Sequence, residues 1–468
     1  MITQATPGSQ DSYRDSISTI SQEGKRAWIY PKKPSGRYYK ARTIVAWILL
    51  TLLFSGPFIT YNGRPLMLFN ILERKFIIFG VSFWPQDFFL FVLAMLTFFV
   101  FIILFTVVFG RIWCGWACPQ TIFMEMVFRK IEYLIEGDSN QQKKLDSAPW
   151  EFQKAWRKLL KHLIFFTLSF IIANLFLAYI IGVQELKLLV TDGPGKHIGG
   201  FISLVVFTGV FYGVYSRFRE QACLVVCPYG RLQGVLLDRN STVIAYDYLR
   251  GEPRGKVTKG AERTSGDCID CKNCVHVCPT GIDIRNGTQL ECVNCTACID
   301  ACDDVMDKVG FPKGLIRYTS ENNIINKVKF RWTTRIISYC VVFVIMITTL
   351  ITLLATRSDI ETTILRTPGQ LFQQEADGRI SNLYNIQIVN KTFKDIPVSF
   401  KIDDMEGEIR FAGKPLQVIK SEEVSEATFF LILPREKVHK LKTKIKLELI
   451  SNGEEIDEVT TNFLGPTN

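Results

Sequence analysis

Residues 268–302 decide the fold class and read CIDCKNCVHVCPTGIDIRNGTQLECVNCTACIDAC. This stretch holds eight of the chain's thirteen cysteines, in two runs with the same C-x2-C-x2-C-x3-C spacing. The runs are Cys268, Cys271, Cys274 and Cys278, then Cys292, Cys295, Cys298 and Cys302. Such spacing is typical of proteins that hold two [4Fe–4S] clusters, in which each run gives its last cysteine to the other cluster.

The pattern therefore predicts a crosswise set of ligands. One cluster would be bound by Cys268, Cys271, Cys274 and Cys302, and the other by Cys292, Cys295, Cys298 and Cys278. A disulfide framework and a pair of zinc ribbons are the alternatives. Two complete runs so close together, the first followed by Pro279, disfavour both alternatives. The second run is followed by Asp303 instead of proline, which affects local geometry but removes no ligand.

The rest of the chain is too long and too apolar for a ferredoxin alone. It has 468 residues and 35 phenylalanines, with a mean hydropathy of +0.16. Five hydrophobic stretches are long enough to cross a bilayer: 43–59, 88–110, 163–183, 198–215 and 336–355. The first lies behind a polar, basic tail, so we do not interpret it as a cleaved signal peptide.

Basic residues are distributed unevenly between the connections. Residues 1–42 carry eight Lys or Arg and 111–161 carry nine, whereas 60–87 carry three and 184–197 carry two. The positive-inside rule then places the tail and the 111–161 connection in the cytoplasm. We expect a multi-pass protein of the bacterial inner membrane, and the net charge of +10 does not indicate nucleic-acid binding.

The predicted fold is a five-span α-helical bundle with an inserted α+β two-cluster ferredoxin domain and a C-terminal all-β immunoglobulin-like sandwich. Six short alternating runs after the last span, separated by turn residues, indicate the sandwich. The ferredoxin domain would be cytoplasmic and the sandwich extracytoplasmic. The expected parts are a mostly unstructured cytoplasmic tail (1–42), four spans (43–240), the ferredoxin domain (241–335), the fifth span (336–356) and the sandwich (357–468).

Two further cysteine pairs follow the second and fourth spans. Cys114-Gly-Trp-Ala-Cys118-Pro119 and Cys223-Leu-Val-Val-Cys227-Pro228 share the spacing C-x3-C-P. Both spans run in the same direction, so the pairs should lie at the same depth at the membrane boundary. Residues four apart share one face of a helix, and two such helices could present four thiolates together.

Soft sulfur ligands favour Cu(I), zinc or iron–sulfur centres, so these four cysteines are candidate metal or redox residues. The alternative is that they are small buried residues that help the spans to pack. Met124, Met126 and Glu125 follow Cys118 closely and could assist a metal site, although core packing explains the methionines as well.

The chain resembles the cytochrome c oxidase accessory proteins called FixG, RdxA or CcoG. The resemblance covers almost everything after the tail and rests on the two cluster runs, the C-terminal domain and three further segments. These are Phe83-Trp-Pro-Gln-Asp-Phe-Phe89, Trp113-Cys-Gly-Trp-Ala-Cys-Pro-Gln-Thr121 and Arg250-Gly-Glu-Pro-Arg-Gly255. It implies a membrane iron–sulfur protein that is needed for assembly of cbb3-type oxidase and reduces Cu(II) to Cu(I) for its copper centre.

The resemblance also implies that Cys114, Cys118, Cys223 and Cys227 bind copper or do redox chemistry. Partners would be oxidase subunits or copper-transport proteins, and an electron donor that the sequence does not identify. One alternative is a conduit that carries electrons from quinol to a partner, as in related membrane ferredoxins. The other is an assembly scaffold without catalytic activity, in which the clusters are structural. The sequence does not indicate an oligomeric state.

Overall fold

The fold is given by a computed structural model. The structure describes residues 19, 25–61, 64–71, 75–78, 81–84, 87–192, 195–256, 265–328, 331–369, 371–392, 394–403, 405–421, 423–438 and 440–466. Most of the predicted tail, residues 1–18 and 20–24, lies outside this description, as do Pro85 and Gln86 of the family segment. Two compact units are present, one of Met1–Phe58 with Leu93–Thr348 and one of Ile59–Val92 with Thr349–Asn468.

The described helices include five long apolar ones and several short ones near the cysteines. They are α1 (Arg37–Ser55), α2 (Phe88–Phe109), α3 (Ile112–Trp116), α4 (Pro119–Thr121), α5 (Arg129–Ile135), α6 (Ser139–Ser147), α7 (Phe152–Ile181), α8 (Val183–Thr191), α9 (Ile198–Gly213), α10 (Pro228–Leu236), α11 (Tyr248–Gly251), α12 (Asn273–His276), α13 (Ala297–Val309), α14 (Glu321–Asn326) and α15 (Thr334–Ala355). Short π-helical segments occupy Ile122–Phe128, Val214–Phe218 and Ala222–Val226.

The described strands fall into three groups: those between the first two membrane helices, those in the ferredoxin region, and those after the last span. They are β1 (Thr60–Tyr61), β2 (Arg64–Pro65), β3 (Met67–Asn70), β4 (Lys75–Ile78), β5 (Val81–Phe83), β6 (Val243–Tyr246), β7 (Ile316–Thr319), β8 (Ile360–Arg366), β9 (Gln373–Gln374), β10 (Ile380–Asn390), β11 (Ile396–Pro397), β12 (Ser399–Asp403), β13 (Glu408–Phe411), β14 (Val418–Ile419), β15 (Val424–Leu433), β16 (Lys442–Ser451) and β17 (Glu454–Leu464).

Within the described residues, five helices are long and apolar enough to cross a membrane, as predicted. They cover Arg37–Phe58, Phe88–Phe109, Phe152–Ile181, Ile198–Phe218 and Thr334–Ala355. Three begin earlier than their hydrophobic stretches, at Arg37, Phe152 and Thr334, because each opens with polar residues that a hydropathy profile does not include. The chain is a multi-pass membrane protein.

Aromatic packing holds the bundle of the first unit together. Phe123, Phe128, Phe165 and Tyr215 are buried, and the Phe128 and Tyr215 rings stack with centroids 4.5 Å apart. Offset aromatic pairs are stabilised beyond the area that they bury. This cluster fixes the π-helical segment after Cys118 against α7 and the end of α9.

The ferredoxin region of the first unit is a small α+β fold. β6 pairs with β7 in antiparallel register, Val243 opposite Thr319, and brings the two ends of the region together. Ile299 and Met306 of α13 pack on Ile244 of β6 and on several cluster cysteines. Cysteine side chains are therefore part of this region's core.

The second unit contains a β-sandwich. One sheet has the order β13-β15-β10-β8, with β9 on β10, and the other has β12-β16-β17. Tyr384 of β10 is fully buried, and its hydroxyl donates to the Asn462 carbonyl of β17 at 2.9 Å, which ties the two sheets. This unit holds no cysteine. The predicted immunoglobulin-like sandwich without a disulfide is confirmed.

A three-stranded meander of β3, β4 and β5 belongs to the same unit. Asp87, directly after it, accepts hydrogen bonds from Lys391 Nζ at 2.8 Å and Arg357 Nη2 at 2.6 Å. Asp87 and Lys391 are both 4 % exposed at the side chain. This buried ion pair joins the meander to the sandwich.

Candidate iron–sulfur centres and boundary cysteines

Cysteines of both runs line one cavity of the ferredoxin region. The cysteines around it are Cys268, Cys271, Cys274 and Cys302. Apolar side chains such as Met306 and Leu315 close it, and the Arg285 guanidinium also lines it. The structure thus brings together the four cysteines that the spacing assigns to one cluster.

A second cavity lies beside the first. Its cysteines are Cys278, Cys292, Cys295 and Cys298, together with Cys274 from the first cavity. Because Cys274 lines both cavities, the two candidate cluster sites are immediate neighbours. They differ in access to solvent, since Cys271 of the first cavity is exposed while Cys295 and Cys298 of the second are buried.

The backbone of the two runs repeats the same unusual conformation. Asp270 and Asn294, each two residues after the first cysteine of its run, have φ of 55° and 52°. Lys272 and Thr296, each four residues after it, have φ of 58° and 67°. Non-glycine residues in the left-handed region are strained and persist where their surroundings require the conformation. Both runs are therefore shaped to wrap a group in their cavity.

The chemistry of the thiols also fits bound metal. Burial raises the pKa of Cys274, Cys292 and Cys302 to about 12 and that of Cys295 to about 11. Without metal these thiols are protonated at neutral pH, so metal binding displaces their protons. Four thiolates around an enclosed apolar cavity are the donor set of a [4Fe–4S] cluster, and the residues present fit two such clusters.

The four cysteines of the C-x3-C-P pairs, called the boundary cysteines below, also lie together. They are Cys114 in α3, Cys118 before α4, Cys223 in a π-helical segment and Cys227 before α10. The thiol of Cys223 interacts electrostatically with the other three, and burial raises its pKa to about 12. Cys118 and Cys227 each occupy the N-cap of a helix whose first residue is proline.

The part of the chain that the structure describes contains no site whose side chains converge on a single metal ion. No group of three or more His, Cys, Asp or Glu side chains there is close enough to hold one metal ion. This holds for the boundary cysteines and for the two ferredoxin cavities alike.

The boundary cysteines are joined to the second cavity by direct contacts. Cys114 packs on a small buried cluster that contains Val293 and Cys295. Its Sγ donates to Gln233 Oε1 at 3.1 Å, and the same oxygen accepts from Arg111 Nε at 3.0 Å. Arg111 Nη1 in turn donates to the carbonyl of Cys292 at 3.2 Å. A continuous chain of hydrogen bonds therefore connects Cys292 with Cys114.

A second arginine bridges the same two loops. The buried Arg42 of α1 donates from Nε to the Gly115 carbonyl at 2.9 Å and from Nη1 to the Cys295 carbonyl at 2.8 Å. Gly115 lies so close to the ferredoxin loop that a Cβ there would be 2.4 Å from the carbonyl oxygen of Asn294. Glycine is needed at this position because no side chain fits.

The ferredoxin region also caps a membrane helix. The Asp300 carboxylate of α13 accepts from the backbone N–H groups of Tyr38 and Tyr39 at 3.2 and 2.8 Å. These are free N–H groups of the first turn of α1, whose own N-cap, Gly36, has no side chain to serve them. The cap orients the ferredoxin region on the end of α1.

The tail residues that the structure describes, from Lys25 onward, are held by similar contacts. Lys32 N donates to the His276 carbonyl at 2.7 Å, and Lys33 N donates to Asp138 Oδ1 at 2.8 Å. Residues 25–36 form no helix but follow the surface of the first unit. Their hydrogen-bond partners lie far along the chain, so composition alone did not indicate this order.

A buried ion-pair cluster follows Cys118 along the chain. Its members are Glu125, Arg129, Glu132, Glu136, Lys161, Arg219 and Glu220. Arg219 contacts Glu132 through two hydrogen bonds of 2.6 and 3.3 Å, and Arg129 lies 3.2 Å from Glu125. Glu125 is thus engaged by an arginine, and Met124 and Met126 pack in apolar clusters.

The sequence pattern gave no role to Arg42, Arg111 or Gln233. An arginine directly before the first hydrophobic stretch, one directly after the second and a glutamine six residues after Cys227 are the signals that were present. Their roles depend on contacts between residues more than seventy positions apart, and no local pattern reports these.

Comparison with known families agrees with this arrangement. A family of 4Fe-4S dicluster domains matches residues 218–321, and a family of 4Fe-4S binding domains matches residues 91–136. The family described as an IG-like fold at the C-terminal of FixG matches residues 350–466.

Similarity extends over most of the chain. The nitrogen fixation protein FixG of Rhizobium meliloti is 30 % identical over 488 residues, covering 92 % of each chain. This chain belongs to the FixG/RdxA family. Protein RdxA of Cereibacter sphaeroides is 33 % identical over 399 residues, which cover 82 % of this chain and 83 % of RdxA. The predicted family is confirmed, and the chain is a membrane iron–sulfur protein of oxidoreductase type.

One solved structure is similar to part of this chain, that of a FixG-related protein from Vibrio parahaemolyticus. The match covers 23 % of this chain and 97 % of the Vibrio chain, with 22 % sequence identity and a TM-score of 0.20.

Proposed function

We propose that this chain transfers electrons across the inner edge of the bacterial membrane and reduces Cu(II) to Cu(I) for the assembly of a cbb3-type oxidase. The observation that supports this most is the continuous contact from an exposed cysteine, Cys271, through two adjoining cavities to the boundary cysteine Cys114. Such a sequence of sites suits the passage of electrons from a soluble donor to the membrane.

Each cavity would hold one [4Fe–4S] cluster with the crosswise ligands. Cys268, Cys271, Cys274 and Cys302 would bind the first, and Cys292, Cys295, Cys298 and Cys278 the second. Bound clusters of this kind supply reversible one-electron redox chemistry, with potentials set by hydrogen bonds, charge and solvent exposure.

The chain's own residues would set the direction of transfer. Exposed Cys271 gives the first cavity a side on which a reduced one-electron carrier of the cytoplasm can dock. Buried Cys295 and Cys298 keep water from the second cavity, and Arg42 and Arg111 hold its loop against Cys114. We propose accordingly that the ferredoxin domain is cytoplasmic and the sandwich extracytoplasmic, as the positive-inside rule predicts.

Copper enters this account as a substrate. Each Cu(II) takes one electron and becomes Cu(I), a soft ion that sulfur ligands prefer, so thiolates at the membrane boundary favour the reduced product. The boundary cysteines are therefore the proposed place of reduction. The donor is a one-electron carrier, and the acceptor after reduction would be an oxidase subunit or a copper-transport protein.

Anaerobic copper reduction by the purified full-length protein tests the proposal. Protein reduced with dithionite and freed of excess reductant is mixed with Cu(II), and Cu(I) is followed with a chelating dye. The double variant Cys118→Ser, Cys227→Ser should reduce copper about a hundredfold more slowly, since loss of groups that merely support a metal site already costs 10–100-fold.

Cys340→Ser is the matched control, because Cys340 lies in α15 away from the cavities and from the boundary cysteines. It should leave the rate unchanged. Unchanged activity of the double variant would refute the proposed place of reduction. Rapid cluster reduction by a quinol analogue without copper turnover would instead support the electron conduit.

A further inference from the structure

The boundary cysteines form a fourfold sulfur site that the two ferredoxin clusters leave unused. The chain has thirteen cysteines; eight line the ferredoxin cavities and Cys340 lies apart, which leaves four. Both pairs adjoin α10: Cys114 Sγ lies 3.1 Å from Gln233 Oε1, and Gly230 packs against the backbone carbonyl of Cys223. Four neighbouring thiols are thus available to bind a further group.

The boundary cysteines resemble the ferredoxin cysteines in one respect. A structural zinc ion binds thiolates at about 2.3 Å, so its ligands converge on one point. Among the described residues no single-ion site is found at the boundary cysteines, nor in the two cavities whose cysteines match a dicluster family. In the ferredoxin cavities the same donor type suits a cluster, and four thiols at the boundary are enough for one.

Buried polar groups beside the site lack partners. Gln233 is fully buried and its Oε1 is 3.1 Å from Cys114 Sγ, while its Nε2, on the side of Tyr229, makes no hydrogen bond of normal geometry. Asn294 is 2 % exposed, its Nδ2 has no hydrogen bond of normal geometry, and its Oδ1 lies 3.5 Å from Cys292 Sγ of the second cavity. A buried donor without a good acceptor is costly, and cluster sulfurs are acceptors for such N–H groups. The Gln233 amide is thus placed to donate to a sulfur-rich ligand next to Cys114.

Charge at the site suits an anionic group. The buried Arg111 donates from Nε to Gln233 Oε1 at 3.0 Å, and the same oxygen accepts from Cys114 Sγ, so the positive charge lies beside this thiol. Cys227 occupies the N-cap of the nine-residue α10. Helix N-termini and arginine both stabilise negative charge, which four thiolates would bring.

The family comparison contributes an independent argument from the count of ligands. The match to 4Fe-4S binding domains covers residues 91–136, where Cys114 and Cys118 are the only cysteines. Two ligands do not suffice for a cluster that needs four. Cys223 and Cys227 are the cysteines that the fold places beside them.

We propose that Cys114, Cys118, Cys223 and Cys227 bind a third [4Fe–4S] cluster at the membrane boundary, supported by the Gln233 amide and the Arg111 guanidinium. This assigns the soft-ligand site to a resident iron–sulfur centre, in place of the thiolate-held copper expected from the sequence. The four thiolates are then cluster ligands and do not hold Cu(I), so Cu(II) would be reduced by an electron from this centre, and the inference does not depend on copper turnover.

Iron and sulfide analysis of the anaerobically purified full-length protein tests the inference, together with EPR spin counting after dithionite reduction. We expect about twelve iron and twelve sulfide per chain, because each cubane contributes four of both. The double variant Cys118→Ser, Cys227→Ser should retain about eight of each and the signals of the ferredoxin clusters. Cys340→Ser should match the wild type.

The number of iron atoms per wild-type chain tests the third cluster even where the variant is poorly produced. About eight iron atoms in the wild type, with or without one equivalent of copper or zinc, would overturn the third cluster, and about ten would indicate a [2Fe–2S] centre and overturn the cubane. Twelve iron atoms without copper reduction would support the cluster while the proposed function fails.

Discussion

Replacement of Glu132 by glutamine tests whether the buried ion-pair cluster stabilises the first unit. The Glu132 side chain is 4 % exposed and contacts Arg219 at 2.6 Å and Lys161 at 3.5 Å. Removal of one partner from a buried pair leaves an uncompensated charge and usually costs about 3–5 kcal/mol. Lys161 would keep Glu136 at 2.8 Å, whereas Arg219 would keep only Glu220 at 4.0 Å. We therefore expect the substitution to lower the free energy of unfolding by the smaller amount, about 3 kcal/mol, which raises the unfolding equilibrium constant about a hundredfold.

The pH dependence of this effect follows from the pKa of Glu132. Burial raises that pKa, but Arg219, Lys161 and Arg129 outweigh burial and hold it below 4.5. A carboxyl whose pKa is lowered by folding stabilises the folded state above its unfolded pKa, about 4.3, and loses this effect as the pH falls through the folded pKa. The difference between wild type and variant should thus be full at pH 7 and shrink below about pH 4.

Equilibrium unfolding in mixed detergent, followed by the helical circular dichroism signal, measures the difference. Asp192→Asn is the matched control, because Asp192 forms an ion pair with Lys196 at 3.5 Å that is exposed to solvent. Such a surface pair contributes less than about 1 kcal/mol. A loss for Glu132→Gln no larger than that of the control at pH 7, or a difference that grows on acidification, would refute the reasoning.

Two further predictions concern the other parts of the chain. Asp87→Asn should lower the unfolding free energy of the second unit by about 3 kcal/mol, because Arg357 loses its buried carboxylate. Thermal unfolding followed by the β-strand circular dichroism signal measures this change, and an unchanged melting midpoint would contradict it. Removal of iron by an oxidant and chelator should make residues 241–335 sensitive to trypsin, because their core contains the metal ligands, whereas 357–468, which hold no cysteine, stay protected. Equal sensitivity of both regions would argue against metal-dependent folding.

Features with a local signal could be predicted from the sequence. Hydrophobic runs gave the five membrane helices, because the length of such a run alone decides whether it can cross a bilayer. Cysteine spacing predicted which cysteines would lie together, since three corners of a cubane come from one short loop, and the two cavities are lined accordingly. The alternating runs gave the sandwich because each strand has one buried face.

Long-range contacts explain what could not be predicted. α7 begins at Phe152, eleven residues before the predicted span, because Lys154 and Lys161 are buried by polar partners that hydropathy ignores. No strand was predicted between the first two spans, where β3, β4 and β5 are too short to show a period. The bridges of Arg42 and Arg111 between the loops arise only when the fold brings distant segments together.

Single-turnover stopped-flow kinetics test the central claim, that electrons leave the ferredoxin clusters for the acceptor through the centre that we propose the boundary cysteines hold. Clusters are first reduced, then mixed anaerobically with Cu(II), and their reoxidation is followed by visible absorbance beside Cu(I) formation. In the wild type both signals should share one rate constant, and in the Cys118→Ser, Cys227→Ser variant both should slow by about a hundredfold. Reoxidation of the ferredoxin clusters at the wild-type rate in that variant would contradict the account.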